Sequence, residues 1–141
     1  MCGFVGVITK DIISNSDIES IRLMNNSIRH RGPDSEGYYN SDFFAGAHSR
    51  LAIIDLRERA NQPMLDENKR YVLFFNGEIY NYEDIRVELK SAGHLFKTTS
   101  DTEVVLKSFM EWGVDCVSRF SGMFAFVIFD LKKKETYLFR D

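Results

Sequence analysis

The chain has 141 residues, a formal net charge of −3, and 44% hydrophobic against 28% charged residues. Those values are ordinary for a globular domain and exclude a disordered tail, a fibre or a low-complexity linker. A weakly acidic chain also gives no support for binding nucleic-acid phosphates. The longest apolar run, Met123 to Phe129, falls well short of the roughly 18 residues of a membrane helix, so no membrane partner is expected. Cys2 and Cys116 are the only cysteines and cannot build a disulfide framework, which fits a reducing compartment and an expected cytoplasmic location.

In chain order, Phe4 to Ile8 is short and β-branched and reads as a buried strand. Ser16-Asp17-Ile18-Glu19 has capping-box form. Ile18, Ile21, Met24 and Ile28 follow at near-helical spacing, which predicts an amphipathic helix over 16–29. His30 to Ser35, with Gly32-Pro33, reads as a loop. Residues 43–47 and 50–55 read as two short strands, and Tyr71 to Phe75 as a third. Tyr82, Ile85, Leu89 and Ala92 form a second helical stripe, stopped at Gly93. Ser100-Asp101-Thr102-Glu103 opens a third helix with Val105, Phe109 and Trp112 on one face. Met123 to Phe129 is apolar on both alternating faces and predicts a strand covered on both sides. Lys132 to Lys134 then turns into a hairpin partner, Thr136 to Phe139. Strands grouped with helical stripes in this way predict sheets packed between helical layers.

Five segments carry residues that could do chemistry. Cys2 reads either as a small residue that permits removal of Met1 or as a nucleophile. With Met1 gone, one residue would carry a thiol and a free α-amine. That amine, at a reference value of roughly 7.7–8.0, can take the thiol proton near neutral pH. His30-Arg31-Gly32-Pro33-Asp34 reads as a polar turn. Arg50, in His48-Ser49-Arg50-Leu51, is either solvent-facing or a two-pronged grip for a carboxylate. Asn76-Gly77 is a strong hairpin signal and alternatively a pair of oxyanion donors. Ser100 to Glu103 reads as helix capping. His30, His48 and His94 make no zinc spacing with the cysteines, so no metal site is expected. Cys116 reads as core.

In their order and spacing these five segments resemble class II glutamine amidotransferase domains, nearest to the glutaminase domain of asparagine synthetases. The resemblance runs from Cys2 to Asp141. The strings His30-Arg31-Gly32-Pro33-Asp34 and Asn76-Gly77-Glu78-Ile79-Tyr80-Asn81 mark the asparagine synthetase branch, as do Gln62-Pro63-Met64 and Ser121 to Phe126. The resemblance implies an α+β fold, the four-layer α/β/β/α sandwich of N-terminal nucleophile hydrolases. It implies Cys2 as nucleophile and Asn76 and Gly77 as oxyanion hole. It gives Arg50 to the glutamine α-carboxylate, the stretch Leu51, Ala52, Ile53 and Ile54 to the wall of the site, and Glu78 and Asp101 to the substrate's α-amino end.

The reaction implied is hydrolysis of glutamine, with ammonia passing to a synthetase domain that would convert aspartate to asparagine. No cofactor is expected within this segment; ATP and Mg are expected only with the synthetase domain. In relatives, Arg140-Asp141 begins a further stretch of the same domain, so residues 1–141 are expected to be an incomplete glutaminase domain without its synthetase partner. Truncation there would leave the edge of the last strand open to self-association as a homodimer. Two alternatives stay open: an inactive domain serving as a folding or partner-binding module, and an amidotransferase whose acceptor is not aspartate.

Overall fold

The computed structural model describes residues 2–141; the expected removal of Met1 concerns a residue outside that range. The elements are β1 (Gly3–Ile8), α1 (Asn15–Ser27), β2 (Ser35–Asn40), β3 (Phe44–Arg50), β4 (Met64–Leu65), β5 (Tyr71–Ile79), α2 (Tyr82–Ser91), α3 (Asp101–Trp112), β6 (Gly122–Asp130) and β7 (Glu135–Arg140). Single 3₁₀ segments follow α1, precede β4 and follow α3. The strands form two antiparallel sheets, one ordered β1-β3-β2 and the other β4-β5-β6-β7.

Strand alternation sorts the side chains into three apolar layers. Ala45 and Ala47 of β3 face outward against Ile21 of α1, with Val5 and Val7 of β1 beside them. Phe44 of β3 faces the other way and meets Val72, Phe74, Val127 and Phe129 of the second sheet. The Phe44 and Phe129 rings stack at 5.0 Å, and the Phe44 edge meets Phe74 at 5.6 Å. The far face of the second sheet, including Leu73, Phe75, Phe126 and Ile128, packs against Ile85 and Leu89 of α2 and Val105 and Phe109 of α3. The order is therefore helix, sheet, sheet, helices: the expected four-layer α/β/β/α sandwich.

Several elements differ from their sequence expectation, each for a local reason. Helix α1 starts one residue early, at Asn15, because Ser14 rather than Ser16 forms the capping box with Asp17: Ser14 Oγ accepts the Asp17 N–H at 3.2 Å and Asp17 Oδ2 accepts the Ser14 N–H at 2.8 Å. Its buried stripe runs through Asn25 and leaves Met24 exposed. Asn25 tolerates burial because Ser49 Oγ donates to its Oδ1 at 3.1 Å and its Nδ2 donates to the Tyr38 hydroxyl at 3.2 Å. Strand β2 carries alternating exposed polar residues, so its apolar signal was too weak to read. Strand β5 runs on through Asn76-Gly77 to Ile79 rather than turning there, since β6 pairs with it along its whole length. The expected strand over 50–55 is absent: β3 ends at Arg50 and a loop follows. Helix α3 is buried on nearly all sides from Asp101 to Phe109, and α2 is followed by Gly93 at φ +99°, as its stop signal required.

Gly46 of β3 sets how closely the sheets approach. A Cβ there would stand 2.8 Å from Phe74 Cζ and 3.0 Å from Phe44 Cζ. Gly46→Ala should therefore force the aromatic layer apart and lower stability by about 1–3 kcal/mol, read as a lower midpoint in urea denaturation. An unchanged midpoint would mean that the inter-sheet layer repacks freely.

Candidate active site

The same alternation brings the chemistry together. Cys2, one residue before β1, continues the face that carries Phe4 toward the second sheet. The register of β1 on β3, Gly3 opposite Ser49, sets Cys2 beside Arg50 and Leu51. Leu51 donates its backbone N–H to Cys2 Sγ at 3.3 Å, and the thiol lies 3.6 Å from the Leu51 carbonyl. Arg31 Nε donates to the Cys2 carbonyl at 3.0 Å, which gives the His30-Arg31-Gly32-Pro33-Asp34 turn a structural task beside the thiol.

Arg50 is buried at 6% exposure and shapes the loop that replaces the expected strand. Its terminal nitrogens donate to Asp55 O at 2.6 Å, Asn61 Oδ1 at 2.7 Å, Ile54 O at 3.3 Å and Arg57 O at 3.5 Å. The loop wraps round the guanidinium to supply these acceptors, and Asp55 reaches φ +49° in doing so. Asp34 Oδ2 takes the Ala52 N–H at 2.8 Å. The Asp55 carboxylate takes the Thr99 N–H at 2.9 Å, tying the loop to the segment before α3. Hydrogen bonding from Arg57 holds the Asp55 carboxyl well below the usual carboxylate range. Among the described residues Arg50 has no carboxylate partner. Its terminal nitrogens thus meet oxygens of the loop and of Asn61, and among the described residues its Nε–H has no acceptor.

Eight of the ten residues singled out from the sequence line one cleft: Cys2, Arg50, Leu51, Ile53, Ile54, Gly77, Glu78 and Asp101. Ala52 and Asn76 do not. Asn76 lies on β5, on the face that carries Val72 and Phe74 toward the first sheet, and its Oδ1 is buried without a hydrogen-bond partner. Gln62, Phe75, Thr102 and Met123 complete the lining. The string Gln62-Pro63-Met64 had drawn attention to Gln62 without a role, and Thr102 lay inside a capping signal. Phe75 closes one apolar run without a separate signal, and Met123 opens another and lies in the Ser121 to Phe126 string, which carried no assigned role.

One edge of β5 explains the donor geometry. In antiparallel pairing, alternate residues turn their N–H and C=O to opposite edges. The odd-numbered residues of β5 face away from β6. Of these, Tyr71 N–H goes to Asp66 Oδ1 at 2.6 Å, Phe75 N–H to Gln62 Oε1 at 2.6 Å and Ile79 N–H to Asp101 Oδ2 at 3.2 Å, while Leu73 pairs with Met64 of β4. Gly77 points its N–H to the same edge, and no loop or side-chain acceptor among the described residues takes it. A Cβ on residue 77 would collide with the Met123 carbonyl and Phe124 Cα of β6, so glycine is required for β5 and β6 to pair this closely here.

Asp101 is 6% exposed at the first turn of α3. Its Oδ1 accepts the Thr102 N–H at 2.8 Å, besides the bond to Ile79. Burial raises its carboxyl to about 6 against those hydrogen bonds, and the charge of Glu78 adds to the rise. Glu78 itself is exposed at the cleft mouth. The cleft thus joins a thiol, an open backbone N–H, one buried cation and two carboxyl groups. Elsewhere, Cys116 is fully buried and its thiol is pushed up to about 12, as fits core packing.

The sequence model described as the glutamine amidotransferase domain matches residues 1–141. The chain belongs to this family. Glutamine-hydrolyzing asparagine synthetase 1 of Bacillus subtilis (strain 168) is 43% identical over 143 residues, covering 100% of this chain and 22% of that protein. Putative glutamine-hydrolyzing asparagine synthetase 2 of Methanocaldococcus jannaschii is 42% identical over 162 residues, covering 100% and 30%. The corresponding synthetase 1 of Arabidopsis thaliana is 38% identical over 141 residues, covering 100% and 24%. This glutamine amidotransferase domain therefore spans about a quarter of the length of the curated relatives it matches. Among solved structures, glutamine phosphoribosylpyrophosphate amidotransferase from B. subtilis superposes with a TM-score of 0.76 at 18% identity, over 100% of this chain and 37% of that one. At that identity the match establishes the shared fold. No helix among the described residues is long and apolar enough to cross a membrane.

The Asp101 environment can be tested directly. Its carboxyl should titrate near pH 6 in ¹³C NMR, and Glu78→Gln should move the midpoint down by removing a like charge. A midpoint near 4 in the parent domain would show that water reaches this carboxyl.

Proposed function

We propose that this domain hydrolyses the side-chain amide of glutamine to glutamate and ammonia through a thioester on Cys2. The observation that carries the reading is the N–H of Gly77, the one on the cleft edge of β5 without an acceptor among the described residues, in the same cleft as the Cys2 thiol. The α-amine freed by loss of Met1 accepts the thiol proton, and the sulfur attacks the amide carbon. The carbonyl oxygen becomes an oxyanion facing Gly77 N–H and the Asn76 side-chain amide. The C–N bond breaks as the α-ammonium returns its proton to the leaving nitrogen, releasing ammonia. Water, deprotonated by the same amine, attacks the thioester; the C–S bond breaks and glutamate leaves with the thiol restored.

The charges of the cleft support an amino-acid substrate. Arg50 offers its buried charge and Nε–H to the α-carboxylate, and Glu78 and Asp101 face the α-ammonium. These groups bind parts of glutamine that do not react, so they orient it and hold the amide at the sulfur. The ammonia is read as passing to an ATP-dependent synthetase domain, which would also hold Mg, for making asparagine from aspartate. That acceptor is supported by the names of the relatives, of which this domain spans a quarter.

Kinetics divide the two sets of residues. Cys2→Ser should fold and lose most glutaminase activity, and a form that retains Met1 should be inactive because it lacks the amine. Asn76→Ala should lower kcat by about 10²–10³ with a smaller effect on KM, the usual loss for one oxyanion donor. Arg50→Ala and Asp101→Ala should mainly raise KM. The swapped pattern would overturn the assignment.

Asp101 also predicts a pH effect. Below about pH 6 its carboxyl is neutral and no longer pairs with the substrate ammonium. The KM for glutamine should therefore rise as pH falls through 6, and Asp101→Asn should remove that inflection. An inflection of the same size in the variant would assign it to another group.

A further inference from the structure

Phe75, the residue before Asn76, has both backbone groups clasped by side chains. Gln62 Oε1 accepts its N–H at 2.6 Å, Gln62 Nε2 donates to its carbonyl at 3.0 Å, and His48 Nε2 reaches the same carbonyl at 3.0 Å. The register explains the first two bonds. With Met64 opposite Leu73, an antiparallel β4 continued backward would set residue 62 opposite Phe75. The main chain does not follow that line. The Gln62 carbonyl instead crowds Gly37 of the other sheet, where a Cβ would overlap it. The primary amide of Gln62 carries the same C=O and N–H pair as a peptide, and it completes the ladder in the backbone's stead.

His48 comes from β3 and crosses between the sheets. A carbonyl can only accept, so Nε2 carries the proton and Nδ1 is bare. Nδ1 is buried and has no partner, an arrangement that costs stability. Burial holds the imidazole at about 4, so it stays neutral through the working pH range. Phe75 O thus accepts two donors, one from β3 of the other sheet and one from the loop before β4, and the residues that follow are the two assigned to the oxyanion.

We propose that Gln62 and His48 are positioning residues that fix the Phe75 peptide groups and so aim the Asn76 and Gly77 donors at the oxyanion. The proposal rests on the glutaminase reading of the cleft. Gln62 stands in for an edge strand while leaving the next outward N–H, that of Gly77, uncovered. A true strand continuing past this point would have paired with it. His48 ties the donor strand to β3, whose next inward-facing residue is Arg50 and whose following loop holds Cys2, so donor and nucleophile keep one separation. Misplacing reacting groups by about 1 Å can cost 10²-fold in rate.

The test uses the full-length protein with steady-state glutaminase assays on Gln62→Glu, His48→Gln and Asn76→Ala, alone and in pairs. Gln62→Glu keeps the acceptor for Phe75 N–H but sets an ionised oxygen against the Phe75 carbonyl. Its kcat should fall by about 10–10² at pH 7.5 with KM nearly unchanged, and recover toward low pH as the introduced carboxyl is protonated and can donate. His48→Gln, which can present an N–H to the same carbonyl, should lose less than His48→Leu. Each variant combined with Asn76→Ala should lose little beyond Asn76→Ala alone, because the residues act through the same donors.

Additive losses, or a loss in which KM and melting temperature move together with no pH recovery, would assign a general structural role and overturn the proposal. If the parent protein hydrolyses glutamine and Asn76→Ala is impaired but Gln62→Glu and His48→Leu are not, the positioning role alone fails. If the processed parent protein releases no ammonia from glutamine, the functional reading fails first.

Discussion

A β-strand cannot leave an N–H open inside a protein without cause, and among the described residues the outward edge of β5 has one N–H, that of Gly77, without an acceptor. On the β6 side the ladder is unbroken from Tyr71 to Ile79. On the other side the partners change from residue to residue: an aspartate at Tyr71, a short strand at Leu73, a glutamine side chain at Phe75 and an aspartate at Ile79. Side chains do most of this bonding because a continuous neighbouring strand would also have covered Gly77. The vacancy at Gly77 gives the cleft a donor already oriented and free of a competing acceptor, which is the condition for electrostatic stabilisation without reorganisation.

The two ends of the cleft solve opposite electrostatic problems. Arg50 is buried with a full positive charge, so its loop turns carbonyl oxygens toward it in place of a carboxylate. Those dipoles stabilise the cation without cancelling its charge, which remains to attract an anion. Asp101 has two backbone N–H partners, yet burial still outweighs them and raises its carboxyl. A cation arriving beside it therefore relieves a strain already present in the empty cleft.

The layers were legible because alternation is strong where both faces are apolar. Met123 to Phe129 read correctly as a strand, covered on both faces from Phe126 on while Met123 stays exposed, and the α2 stripe through Ile85 and Leu89 found the core. Strand β2 was missed because its residues alternate between half-buried and exposed without an apolar repeat. The 50–55 strand was misread because Ile53 and Ile54 suggest β-structure, while the bonds from Arg50 to the carbonyls of residues 54 and 55 impose a loop. At the cleft, charged residues and the thiol were recoverable as motifs through family resemblance. His48 and Gln62 were not singled out for a role, since what they do is bond a backbone carbonyl, and no side-chain pattern records which carbonyl lies opposite. Asn25 was missed for the same reason, its partners Ser49 and Tyr38 lying on two different strands.

The aromatic layer of Phe44, Phe74 and Phe129 has an effect beyond packing. It lies between the sheet whose β1 follows Cys2 and whose β3 ends at Arg50 and the sheet that carries Gly77. Each sheet keeps its own ladder and its own helical cover, so a partial opening that parts the two can occur before either unravels. In such a state every secondary-structure signal would persist while thiol and donor no longer faced each other. Loss of activity on warming would then run ahead of loss of ellipticity, making catalysis a gauge of how firmly the two halves are pressed together.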